Sequence, residues 1–142
     1  MIPVLHGGGW RLAAAAVAIG LLAGAGCGKP ETGEVQLESK PDAGLQDLKA
    51  FLTSAKASGQ ATTRAAAAPV IGGVHLAADY YLGSGQIVFL WGAQLSDEAD
   101  AAGRIIAYQR TAPSDGGWVL FQDGSLREIS AEAFAAAEKA EP

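Results

Sequence analysis

One cysteine, few aromatics and no excess of positive charge set the first limits on this chain of 142 residues. With Cys27 alone, no intramolecular disulfide can form, so the fold must rest on packing in whatever compartment the protein occupies. Aromatic residues make up 7% of the chain, and Ala and Gly are plentiful, which predicts a modest core. Ten Lys and Arg stand against fifteen Asp and Glu, for a net charge of −5. That balance gives no basic stripe to neutralise phosphates, so a nucleic-acid partner is not expected. Complete catalytic signatures are missing too: there is no G-x-S-x-G elbow, and a phosphate loop would need a strand before its glycines and a helix after them.

What is present begins with residues 11–27, Arg-Leu-Ala-Ala-Ala-Ala-Val-Ala-Ile-Gly-Leu-Leu-Ala-Gly-Ala-Gly-Cys. Arg11 is the only charge before an uncharged apolar core, and Ala23, Gly24, Ala25 and Gly26 are all small. This is the layout of an export signal. The run is too short and too rich in Ala and Gly for a comfortable membrane span of about 20 apolar residues. Ala23-Gly24-Ala25 fits ordinary signal cleavage. Ala25-Gly26-Cys27 resembles the end of a bacterial lipobox, although Gly24 stands where Leu is usual. The lipobox reading makes residues 1–26 a leader and Cys27 the first mature residue, its thiol carrying diacylglycerol. Simple secretion and an uncleaved anchor are the alternatives. Two or more acyl chains anchor stably where one is marginal. With Gly28 rather than Asp after the cysteine, the resemblance implies the outer membrane rather than the inner.

Residues 27–41 read as the lipid-attachment cysteine and a polar tether bracketed by Pro30 and Pro41. Residues 42–142 are long enough for one small domain. Leu45, Leu48, Leu52 and Ala55 recur at helical spacing with Phe51 beside them, predicting an amphipathic helix over 43–58 that stops at Gly59. Residues 60–69 are low in complexity, and Pro69 argues against a simple helix there. A short helix from Val74 to Leu82, or else a strand, ends at Gly83-Ser84-Gly85. Gln86–Trp91 reads as a strand, Gln94–Gly103 as an acidic loop, Arg104–Gln109 as a second strand and Pro113–Gly116 as a turn. Trp118–Gln122 is a third strand, joined by a two-residue type I′ turn at Asp123-Gly124 to a fourth, Leu126–Ile129. Ser130 caps a short C-terminal helix with Lys139 in its last turn. The class is α+β, with a small antiparallel meander of three to four strands.

Ile105-Ile-Ala-Tyr108, followed by Asp115-Gly-Gly-Trp-Val-Leu-Phe-Gln-Asp-Gly124, resembles the C-terminal tail of planctomycete envelope and prepilin-like proteins, known for its H-x9-DG motif. Pro113 replaces the histidine of that motif, Ser125 replaces the one after Asp-Gly, and the prepilin N-terminus is absent. The likeness implies an envelope protein or a pseudopilin-like structural subunit. It brings no enzymatic activity with it.

The remaining candidates are few. His75, the only histidine after the leader, and Asp79 make an i, i+4 pair with the spacing of two metal ligands, but a third ligand is missing. Asp97, Glu98 and Asp100 form an acidic knot without the spacing of an EF-type calcium loop. Gly83-Ser84-Gly85 reads as a turn. Asp123 and Gly124 are expected to serve structure. No catalytic residue, metal or cofactor is expected, although a secreted enzyme or metal-binding domain remains an alternative. In Ile87–Trp91 and Trp118–Phe121 both alternating faces are apolar, so the sheet wants cover on both sides. The helix over 43–58 covers one face, and the last helix, with only Phe134 large and apolar, is a poor cover for the other. Residues 60–82 or another chain should hide that face. Trp91 and Trp118 are therefore the candidate partner or self-association surface.

Overall fold

A computed structural model describes residues 42–142; the expected leader, the tether and Cys27 lie outside the described residues. Helix α1 (Asp42–Ser58) buries the predicted stripe completely: Leu45, Leu48, Phe51, Leu52 and Ala55 are at most 1% exposed. Each large side chain in it contributes about 2 kcal/mol of transfer free energy.

Helix α2 (Arg64–Val74) runs through the segment where Pro69 was expected to prevent one. Its buried residues are Ala67 and Ile71, four apart, whereas Ala65 and Pro69 are exposed. The carbonyl that a regular helix would pair with residue 69 therefore faces solvent, where losing one bond is tolerable. One residue later α3 (Leu76–Gly83) begins, so the stretch from 74 is helical, not a strand. Gly83-Ser84-Gly85 is the expected turn, with the N–H groups of Ser84 and Gln86 bonded to the carbonyls of Tyr80 (2.9 Å) and Tyr81 (3.0 Å).

Strand β1 (Ile87–Phe89) is shorter than its apolar run, because Trp91 and Gly92 turn away and the Gly92 N–H bonds the carbonyl of Thr62 at 3.0 Å. The acidic loop follows, with a single 3-10 turn at Ala101–Gly103. Strand β2 (Arg104–Gln109) has the predicted bounds. Where a turn was expected there is one turn of helix, α4 (Ala112–Asp115). Strands β3 (Gly117–Phe121) and β4 (Leu126–Ile129) form the predicted hairpin.

The Ser130 hydroxyl accepts the Ala133 N–H (3.2 Å) and caps α5 (Ala131–Ala136) as expected. Lys139, however, is not in that helix. The chain leaves it to form β5 (Glu138–Lys139), parallel to the first two residues of β2. Lys139 Nζ still reaches back to the carbonyls of Phe134 (3.1 Å) and Ala137 (3.2 Å), so the cation serves the helix end from outside it.

The sheet thus has five strands rather than three or four. Strands β1 to β4 lie side by side and antiparallel, and β5 shares one edge of β2 with β1. On β2 the register slips between Ile105 and Ala107, which pair with Phe121 and Leu120. Ile106 is the extra residue of a bulge. Ile105 consequently packs on one face while Ile106 and Ala107 pack on the other.

Both faces are covered internally, but by a different division of labour from the one expected. Helices α2 and α3 join α1 over Ile87, Phe89, Ile106 and Leu120. Residues 60–82 therefore cover the face that α1 covers. On the second face Phe134 of α5 and Ala112 of α4 pack on Ile105, Val119 and Phe121, with the Phe134 ring edge-on to Tyr108 at 4.8 Å. Cationic side chains complete this thin layer: Arg127 stacks 3.8 Å from the centre of Phe121, and Lys139 lies 4.4 Å from that of Phe134.

Candidate functional site

The structure takes apart the candidate pairing of His75 with Asp79. His75 is the single residue between α2 and α3. Its ring turns to α1, where Nδ1 lies 2.8 Å from Asp47 Oδ1 and the ring edge meets Phe51 at 5.8 Å between centres. The other oxygen of Asp47 accepts the N–H groups of Ala77 (3.0 Å) and Ala78 (3.2 Å). Helix α3 has no side-chain cap from its own flanking residue, so Asp47, far upstream on α1, supplies it. One carboxylate thereby fixes the His75 ring and the start of α3 together. This is a positioning pair that locks three helices.

Each carboxylate of the acidic knot has a cationic partner within the domain. Asp97 pairs with Lys56 at 2.6 Å, and Arg104 pairs with both Glu98 (3.4 Å) and Asp100. No three His, Cys, Asp or Glu side chains form a metal-binding group among the described residues.

Asp123-Gly124 does not form the two-residue type I′ turn. Asp123 has negative φ, and only Gly124 adopts the left-handed region, at +81°. The Gly124 N–H bonds the carbonyl of Phe121 (2.9 Å), and the Phe121 N–H bonds that of Ser125 (2.9 Å). This is the three-residue hairpin loop that ends in a bulge with glycine at the left-handed position. Asp123 braces it, its Oδ1 accepting from the Ser125 amide (2.8 Å) and hydroxyl (2.6 Å). Partial burial raises the carboxyl pKa, but the Ser125 bonds and the nearby Arg127 outweigh it and hold the group below its ordinary value.

Trp91 and Trp118 are half-buried and pack on the main core, Trp91 against Phe89 with ring centres 4.9 Å apart. Beside Trp91 the surface opens into a cleft of about 270 Å³ between β1 and α2, with Ile71 and Leu82 in its apolar wall. Arg64 lines it with its guanidinium carbon 5.8 Å from the centre of the Trp91 ring, and Arg110 lines it from the far end of β1. Both arginines are exposed, and neither has an ion-pair partner among the described residues. Arg64 also opens α2, the helix end at which the dipole disfavours a cation. That placement is the signal by which the sequence could have revealed it, once a helix was recognised to begin there. Asp47 and Arg110 carry no comparable mark in the sequence.

No family model matches the chain, and neither a curated protein nor a solved structure shows significant similarity to it.

Proposed function

We propose that this protein is exported and held at the cell envelope by lipid on Cys27, and that its α+β domain has a binding or assembly role rather than a catalytic one. The observation that carries the address is the position of the sole cysteine, directly after Ala25-Gly26 at the end of an uncharged apolar run. The binding role draws support from the cleft beside Trp91, which combines an aromatic ring, an apolar wall and two unpaired cations.

Intact mass of the membrane-extracted protein tests the address. The expected result is a chain beginning at Cys27 with the added mass of acyl chains, together with release of Cys27→Ser into the soluble fraction. A mature chain that begins at Gly26 or Met1, or that carries an unmodified thiol, refutes it.

A further inference from the structure

Where β1 starts and β2 finishes, a second cavity of about 390 Å³ opens beside the last turn of α3. Tyr81 and Ile87 form its apolar wall, Gln109, Arg110 and Thr111 bring polar side chains to it, and no Asp or Glu lines it. Gln109 is the informative residue. It is 8% exposed, and its Oε1 accepts the Trp118 N–H at 2.8 Å. That bond settles which end of the amide is which, because an N–H must meet an acceptor. Gly117 makes the approach possible: a Cβ there would stand 2.6 Å from Gln109 Oε1. With the oxygen held by β3, the two N–H donors of Nε2 have no acceptor among the described residues. Thr62 Oγ1 is the sole fully enclosed side-chain polar atom without a partner among those residues. Gln109 Nε2 therefore reaches the open space of the cavity it lines. A buried amide with two open donors is costly unless something accepts from it.

The polar groups around it are taken up. Ser84 Oγ donates to the Tyr81 carbonyl (3.3 Å) and accepts from Gln86 Nε2 (3.2 Å). The carbonyls of Tyr80, Tyr81 and Leu82 at the end of α3 accept the N–H groups of Ser84, Gln86 and Gly85. The turn thus closes the helix end on itself. Arg110 is the other group left open: it is exposed and has no ion-pair partner among the described residues. Its guanidinium lies across Gly85, with Nη2 3.3 Å from where a Cβ on that residue would sit. A sheltered neutral donor and an unpaired cation therefore line one cavity, beside an apolar wall and with no carboxylate to oppose them.

We propose that this cavity binds a small organic acid. One carboxylate oxygen accepts from Gln109 Nε2, the other pairs with the Arg110 guanidinium, and an aliphatic or aromatic body lies on Tyr81 and Ile87. The volume falls near the lower end of the range for small-molecule sites, roughly 300–1,000 Å³, which suits a short acid. Inorganic phosphate fits less well, because it has no apolar surface to set against that wall and brings more charge than one arginine matches. This rests on the reading of the domain as a binding module and names a ligand class. The site is distinct from the cleft beside Trp91, with which it shares Gly85, Ile87 and Arg110.

The test uses the isotope-labelled full chain in detergent, with phenylacetate and hexanoate as probes and phenethylamine and inorganic phosphate as controls. Both acids should shift the Gln109 side-chain amide signals in heteronuclear NMR, with dissociation constants below about 10 mM, and neither control should. Arg110→Gln should weaken binding about tenfold, the loss of one charge-assisted bond. Lys49→Gln removes the same charge from the exposed face of α1 and should bind as wild type does. Gln109→Glu keeps an oxygen for the Trp118 N–H but turns a second one toward the ligand, so it should bind neither acid while its circular dichroism is unchanged. Should that variant not fold, the wild-type spectra and Arg110→Gln decide. The proposal is overturned if neither acid binds by about 10 mM, or if phosphate or phenethylamine binds as well as the acids. It is equally overturned if the Gln109 signals stay still while an acid binds, or if Arg110→Gln binds as well as wild type. The mass of the mature protein is independent of all these outcomes, so failure at this cavity leaves the anchoring reading intact.

Discussion

Adding one methyl group at Gly44 should cost this domain more than the helix gains from it. A Cβ built there would lie 2.6 Å from Tyr81 Cδ2, 2.8 Å from Tyr81 Cβ and 2.9 Å from Tyr81 Cγ. Carbon atoms in ordinary contact stand about 3.5–4.0 Å apart. Tyr81 Cβ cannot swing away by changing rotamer, so α3 itself must move by nearly an ångström, against the tie from Asp47. Overpacking of this kind costs roughly 1–3 kcal/mol. Replacing Gly by Ala returns about 1 kcal/mol inside a helix, and less at Gly44, which is in the first turn of α1. The balance is a loss of about 1–2 kcal/mol. For a domain of this size each kcal/mol shifts Tm by about 4–8 °C. Gly44→Ala should therefore melt roughly 5–10 °C lower by circular dichroism. Gly73→Ala in α2 is the control: nothing lies within 4 Å of its Cβ position, so Tm should hold or rise. A Gly44→Ala protein as stable as wild type would show that α1 and α3 do not pack at the separation described.

Three further outcomes follow from the same geometry. Asp47→Ala should lose about 1–2 kcal/mol in urea unfolding, the worth of an N-cap, while Asp47→Asn keeps an acceptor for Ala77 and Ala78 and should lose less than half of that; equal losses would refute the capping role. The hydroxyl of Thr62, 2% exposed, has no partner among the described residues, so Thr62→Val should raise stability by up to about 1 kcal/mol, and a fall would reveal a partner. Gly124→Val should destabilise the hairpin, since its φ is +81°, whereas Asp123→Asn should be nearly silent at pH 7. Because the folded pKa of Asp123 is lowered, its contribution is present above the ordinary value of about 3.9 and lost as pH falls through the folded one. Wild type should thus lose ground to Asp123→Asn in melts taken at pH 3, and gaining ground would contradict the bracing role.

The elements most legible in the sequence are those whose signal is local and repeated. Helix α1 declared itself through five apolar positions at helical spacing, and β2 and β4 through short runs bounded by turn residues. Pro69 misled because its rule concerns a bond that an exposed carbonyl can do without. Strand β5 has two residues and no periodicity of its own, and it exists only because β2 presents an open edge beside it. The hairpin was legible and its turn type was not: Asp-Gly fits a two-residue loop and equally a three-residue loop with glycine last, and the register of Leu120 with Leu126 selects the latter. Among candidate residues, His75 stood out for its rarity, but its partner Asp47 lies on another helix, a distance in sequence that no spacing rule covers. The arginines of the cleft were passed over because cations are usually paired, and only the fold shows that these two are not.

The course of β2 between the two layers has a consequence for how the domain comes apart. Strand alternation sends Ile105 into the thin layer under α5 and Ile106 into the thick one under α1, and the bulge places Ala107 beside Ile106 in the thick layer. A cluster as small as Ile105, Ala112, Val119, Phe121 and Phe134 could not hold a structure alone. Borrowing β2 makes it part of the same cooperative unit, so neither layer melts first and calorimetry should record one endotherm, with a van't Hoff enthalpy equal to the calorimetric one.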